Sequence, residues 1–303
     1  VLPEAVLNVK AHMRIRTILL QRSSVKSLTF LGDMFDGVQC PCILLQLIAT
    51  GKPLSTAGMM IEDRTRTYTI AMERTVVPEN FSFRMTDEEY RVLEKIKNSI
   101  PVCYLADHAD FALGIVTGNN KKFLSTEKTE HSEMVLKGTD ICKYHINPAK
   151  QYLRFEPEQF QQVAPLEIYR APEKLLYRFI SNQLVVAYDD RQILSLNSCN
   201  IVIPKIEGMQ IKYILAILNS SVSQFVYQKE FHSIKVLRAH MEHIPIPRVG
   251  KAIQNEIIAM TEPLIHGMGK EAAETCQKRL DCRIMDLFRL SAEEQWIIRH
   301  ALH

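Results

Sequence analysis

The residues best equipped for recognition chemistry lie together between Thr117 and Lys122, in the order Thr-Gly-Asn-Asn-Lys-Lys. An asparagine carboxamide offers a donor beside an acceptor, a pair that matches the edge of adenine, and a lysine tip holds phosphate or guanine. Gly118, Asn119 and Asn120 are also what a tight turn asks for, because they tolerate positive φ. From the residues alone, the stretch is either a polar turn or a nucleic-acid contact carried by Thr117, Gly118, Asn119, Asn120, Lys121 and Lys122. Its flanks, Phe111 to Val116 and Phe123-Leu124, predict a strand, a turn of two to four residues and a second strand.

Other chemistry has thinner support. His240 with His243 and His300 with His303 have a spacing that metal sites use, but no carboxylate set accompanies either pair, and no metal is expected. The seven cysteines are scattered, and Cys40-Pro41-Cys42 is too tight for a zinc knuckle, so reduced, mostly buried thiols are expected. No Gly-x-Ser-x-Gly element marks a nucleophile. Asp189-Asp190 is the only tight acidic pair in the β-rich part, and it reads as a turn before Arg191. No catalytic residue is assigned. Lys174, Arg178, Arg191, Lys205, Lys235 and Arg238 are candidate phosphate contacts or, in the plainer reading, solvated cations. Tyr144, Tyr169 and Tyr188 suit either base stacking or the core edge.

The elements that must position these residues follow from the pattern. The chain has 303 residues, 47% hydrophobic and 23% charged, enough for about two domains. No apolar run is long enough to span a membrane. Net charge is only +3, but Phe111–Lys251 holds 18 basic against 13 acidic residues, so the surplus lies around the turn. Helix is predicted over 8–21, strand over 25–31, and a doubly buried strand over 42–49. An exposed strand or hairpin is predicted over 61–71. A helix capped by Thr86 is predicted over 87–99, with the domain boundary between Glu73 and Thr86. Short strands are predicted around 112–116, 122–125, 133–136, 151–155, 174–180, 183–188 and 199–203. Helices are predicted over 211–227, 251–266, 270–288 and 291–302, the last opening on a Ser291-Ala292-Glu293-Glu294 capping box.

Gly114-Ile115-Val116-Thr117-Gly118-Asn119-Asn120-Lys121-Lys122-Phe123 resembles the Gly-Ile-x-Thr-Gly-x-Asn-x-x-Phe element of the TaqI-like C-terminal specificity domain. That domain is the DNA target-recognition part of adenine-specific DNA methyltransferases in restriction–modification systems. The similarity continues, in order, with Leu136–Ile141 and Tyr144, Lys174–Arg178, Val185–Asp189, Tyr213–Ser220 and His243–Pro247. Leu2-Pro3-Glu4, Arg16, Gly32–Phe35 and Cys42–Leu47 are similar to the last part of a methyltransferase catalytic domain. The Asn/Asp-Pro-Pro-Tyr/Phe tetrapeptide of that family is not in these 303 residues, nor is its Gly-rich S-adenosylmethionine element.

The resemblance implies an α+β fold: the end of an α/β methyltransferase sheet over 1–76, a mainly β target-recognition domain over 77–250, and a helical segment over 251–303. It implies a C-terminal fragment of a longer, cytoplasmic polypeptide. Its partners would be double-stranded DNA and an N-terminal methyltransferase, with or without a nuclease, and no membrane. No cofactor is expected here, since S-adenosylmethionine would bind the N-terminal part. Two other classes stay open, a protein-interaction scaffold without DNA binding and a self-contained hydrolase with an unrecognised site.

Overall fold

The computed structural model describes all residues except Gln39, Glu79, Asn80, Ser82, His232 and His303, and of Lys10 the backbone alone. Two compact units emerge, one of Val1–Leu93 with Lys229–Phe231, the other of Glu94–Gln228 with His232–His303. Among the described residues no helix is long and apolar enough to cross a membrane.

The first unit contains β1 (Leu2–Pro3), α1 (Met13–Arg22), β2 (Ser23–Asp33), β3 (Pro41–Ala49), β4 (Met60–Glu62), β5 (Thr67–Thr69) and the start of α2 (Asp87–Asn98). Its sheet has the order β1-β3-β2-β4-β5, with β4 parallel to β2 and the other pairs antiparallel. Val25, Leu28, Phe30 and Ile43 pack with Ile61, Ile70, Phe81 and Phe83. The run 42–49 is therefore covered on one face rather than on both: Leu44 and Ile48, on the outer face, are 38% and 53% exposed. An apolar run records what a strand can bury, not which of its faces meets a partner.

The predicted hairpin over 61–71 is present as β4–β5, and its turn is held by Asp63 Oδ1, which accepts from the Thr65 and Arg66 amides at 2.8 and 3.0 Å. Thr86 and Glu89 form a reciprocal cap on α2. Glu89 also receives Arg66 and Lys229 at 3.0 and 2.8 Å.

In the second unit, β6 (Val102–Cys103) and β7 (Ala109–Ala112) precede the turn at Thr117, which leads into α3 (Asn120–Phe123) and β8 (Leu124–Ser125). β9 (Glu133–Leu136), β10 (Tyr152–Leu153), α4 (Leu166–Tyr169), β11 (Lys174–Arg178), β12 (Val186–Asp189), β13 (Leu194–Ser195) and β14 (Cys199–Pro204) follow. Two four-stranded sheets result, β13-β9-β10-β8 and β12-β11-β14-β7. Leu176, Ala187, Cys199 and Ile201 of one pack with Val135, Leu136, Leu153 and Leu194 of the other. The chain then forms α5 (Ile211–Asn219), α6 (Ser221–Glu230), α7 (Arg238–Glu242), β15 (Ile246–Pro247), α8 (Lys251–Ile265), α9 (Lys270–Leu287) and α10 (Ala292–Ala301). Mixed helices and several small sheets, with helices at the C-terminal end, match the α+β expectation.

The helix predicted over 211–227 is two helices. Buried Ser220 is extended (φ −68°, ψ 159°), and Asp281 on α9 starts α6 by accepting from the Ser221 amide at 2.9 Å and its hydroxyl at 2.8 Å. The outer edge of β12 and the segment before it are closed by the Tyr144 backbone, which bridges to Ala187, and by two carboxamides. Asn219 accepts from the Val186 amide at 3.1 Å and donates to its carbonyl at 2.8 Å, while Gln224 does the same for Leu184 at 2.9 and 3.0 Å. Without such partners the buried Val186 and Leu184 amides would each cost about 1–3 kcal/mol.

Candidate nucleic-acid interface

The Gly114–Phe123 element is not a hairpin. Ile115 bridges to Leu196 and Val116 to Gln162, after which the chain turns directly into α3. The cause is local: Asn119 accepts from the Lys122 amide at 3.2 Å and caps a single helical turn.

The residues that define the motif hold this turn from inside. A Cβ on Gly114 would lie 2.2 Å from the Leu196 carbonyl oxygen, so only glycine permits that approach. Ile115 is fully buried. Thr117 is 4% exposed and donates its hydroxyl to Asn120 Oδ1 at 2.6 Å. Gly118 takes φ +77°. Phe123 meets the Phe160 ring edge-on at 5.2 Å.

Of the positions the motif leaves open, Val116 is half-buried at its bridge to Gln162, while Asn119, Lys121 and Lys122 face solvent. Lys121 and Lys122 are exposed, and neither has a carboxylate partner among the described residues; Lys122 lies 4.6 Å from the Phe123 ring centroid. The carboxamide oxygens of Asn119 and Asn120 hold the turn, which leaves their NH2 groups to offer outward. Recognition by these asparagines would therefore come through donors alone.

The other sequence candidates separate sharply. Lys174 is fully buried, forms an ion pair with Asp189 at 2.5 Å and donates to the Tyr169 carbonyl at 2.8 Å. Burial pushes its pKa down while Asp189 opposes the shift. It is a core cation and not a phosphate contact, because its strand has no solvent-facing side at that point. Arg178 spends its guanidinium on the Gly138 carbonyl at 2.9 Å and on the Ile141 carbonyl. Arg191 is exposed in the turn after β12, where its amide donates to Asp189 at 3.0 Å. Lys235 is exposed beside its bridge to Ile180. Lys205 pairs with Asp110, and Arg238 with Glu242. Tyr144, Tyr169 and Tyr188 are all buried, so they fill the core.

Register reveals cations that sequence reading missed. β8 is an edge strand whose Ser125 faces Tyr152 of β10. That pairing runs the chain around exposed Lys150 beside the segment leaving β8, which carries exposed Lys128. Neither lysine has a carboxylate partner among the described residues. Nothing in the sequence joins positions 22 residues apart until the β8–β10 pairing is known.

A hydrolase would need its acids and histidines free. Asp189 is locked to Lys174, and His243 Nδ1 lies 2.6 Å from the Ala239 carbonyl oxygen. Among the described residues no group of three or more His, Cys, Asp or Glu side chains is placed to hold a metal; His303 lies outside them. All seven cysteines are free.

Residues 133–246 match the family model of the TaqI-like C-terminal specificity domain. The resemblance read from the motifs is borne out over this stretch. The matched region holds β9 to the start of β15, and the turn at Thr117–Lys122 precedes it, its flanking Gly114 lying against Leu196 and Phe123 against Phe160. The fold of the whole chain is similar to that of the type IIL restriction–modification enzyme MmeI, solved in complex with DNA. The TM-score is 0.58 at 10% identity, over 99% of this chain and 48% of that one. This chain thus spans about half the length of that protein. Weaker similarities are to the type ISP enzyme LlaBIII bound to DNA (TM-score 0.46, 8% identity, 87% of this chain and 24% of that one) and to the type IIG endonuclease BpuSI (0.39, 9%, 95% and 46%). A search of curated proteins gave no match.

Proposed function

We propose that this chain is the DNA target-recognition part of an adenine-specific methyltransferase or restriction–modification enzyme. The observation that carries this reading is the TaqI-like match at 133–246, on whose sheets the lysine-bearing turn is seated. In this reading Lys121, Lys122, Lys128 and Lys150 hold backbone phosphates. The NH2 groups of Asn119 and Asn120 meet acceptors in a groove. The first unit is the closing end of a methyltransferase sheet, with Leu44 and Ile48 on a face that further structure covers. The target adenine flips, at a cost of a few kcal/mol, into a pocket outside these residues, where S-adenosylmethionine also binds.

Selection of bound duplexes from a random pool tests this directly. One enriched sequence containing an adenine is expected. Binding without enrichment, both by this chain and by the chain joined to its methyltransferase, would reduce the proposal to non-specific DNA affinity and contradict target recognition.

A further inference from the structure

A cavity of about 530 Å³ opens in the second unit between the α6 end of the sandwich and helices α9 and α10. Its lining carries three cations, Lys143, Lys278 and Arg299, and one acid, Asp281. Asp281 is already committed, because both its oxygens accept from Ser221 at the N-terminus of α6. There the aligned peptide dipoles offset its charge.

None of the cations is in ion-pair contact with a carboxylate, although the Asp281 charge acts on Lys143 from a distance. Lys143, the most buried of the three, donates only to the Asn219 carbonyl at 3.2 Å. Arg299 donates from Nη2 to Gln295 Oε1 at 3.0 Å and contacts the sulfurs of Cys282 and Met285 at 3.5 and 3.8 Å, leaving Nε and Nη1 open. Lys278 is exposed and makes no hydrogen bond or ion pair with any described residue. No carboxylate among the described residues lies within 4.0 Å of the side-chain nitrogens of any of the three, and unlike the scattered free lysines of the β-rich part they line a single cavity.

From this concentration of unneutralised donors around one cavity we infer a binding site for a phosphate group. Lys278 and Arg299 supply charge-assisted bonds from α9 and α10, and Lys143 adds charge from the β-rich side. The group is either a free phosphate compound or a phosphate of a DNA backbone that runs past this face. The site uses none of the Thr117–Lys122 residues and does not rest on their role.

Calorimetric titration of the whole chain with inorganic phosphate, at ionic strength fixed with chloride, tests the inference. Lys278→Met with Arg299→Met removes two side chains that hold no backbone group, so the fold is left in place. The double variant is expected to bind at least about tenfold more weakly, since a hydrogen bond to a charged group contributes about 1.5–3 kcal/mol. Asp281→Asn keeps an acceptor for Ser221 while deleting the opposing charge, and it is expected to bind more tightly. Duplex DNA is titrated separately. Competition by phosphate together with weaker DNA binding by the double variant assigns the site to backbone phosphate, and unchanged DNA binding assigns it to a free phosphate compound. No phosphate heat with the wild-type chain, or equal affinity in all three proteins, overturns the inference.

Discussion

Two sets of cations in the second unit look alike in sequence and behave in opposite ways. Lys174 and Arg178 on β11 are spent inside the sandwich, one on Asp189 and the other on carbonyls of the segment after β9. Lys121 and Lys122 stand free on a turn held by Gly114, Thr117 and the Asn119 and Asn120 carboxamides. The difference follows from position. A charge inside an apolar strand must bring its own counter-charge, because a buried unpaired ion costs several kcal/mol. A charge on a one-turn helix beyond the sheet edge stays hydrated, so it remains available for a phosphate.

Mutations should separate the two sets by readout, and the largest effect is expected at the buried pair. Lys174→Met alone strands the Asp189 carboxylate and should cost about 3–5 kcal/mol in denaturant unfolding. The double change Lys174→Met, Asp189→Asn should recover part of that loss. A loss under about 1 kcal/mol for the single variant would mean the pair is more solvated than its burial implies.

Next comes Gly114→Ala, whose Cβ would meet the Leu196 carbonyl at 2.2 Å; a loss of about 1–3 kcal/mol is expected from the same unfolding curves. Lys121→Ala with Lys122→Ala should leave stability within about 0.5 kcal/mol while weakening DNA binding, the reverse of the Lys174 result.

A separate readout concerns acid sensitivity. Burial pushes the His240 pKa down to about 4, with the neighbouring His243 charge adding to the shift and a backbone bond at Lys235 opposing it. A depressed histidine stabilises the fold above its unfolded value of about 6.5, and that stability is lost as pH falls toward the folded value. The Tm should therefore fall between about pH 6.5 and pH 4, and His240→Gln should flatten that fall.

How much of this was legible depended on whether the determinant was local. The three C-terminal helices lie within two residues of their expected ends, and the Ser291 capping box is present, with Ser291 accepting from the Glu294 amide at 3.2 Å. Strand β9 occupies the residues expected of it, and β11 and β14 nearly so. What escaped was set by distant partners. Asp281, 60 residues on, breaks the helix at Ser220, and Asp189 turns Lys174 from a surface cation into a core one.

The turn at Thr117 shows both sides in one element. Its residue types announced a turn, and the Asn119 cap that makes it helical was readable in principle from asparagine's preference for that position. The inward role of Gly114 depended on Leu196, which the sequence places 82 residues away.

The division between spent and free cations is tested most directly by the salt dependence of duplex DNA binding. The logarithm of affinity would be followed from about 50 to 200 mM salt for the wild-type chain, for Lys121→Ala with Lys122→Ala, and for Arg178→Gln. The double variant should bind more weakly and lose about two units of slope, about one for each phosphate contact, while Arg178→Gln keeps the wild-type slope. An unchanged slope for the lysine variant, or a slope lost with Arg178, would contradict the assignment of the turn as the surface that meets DNA.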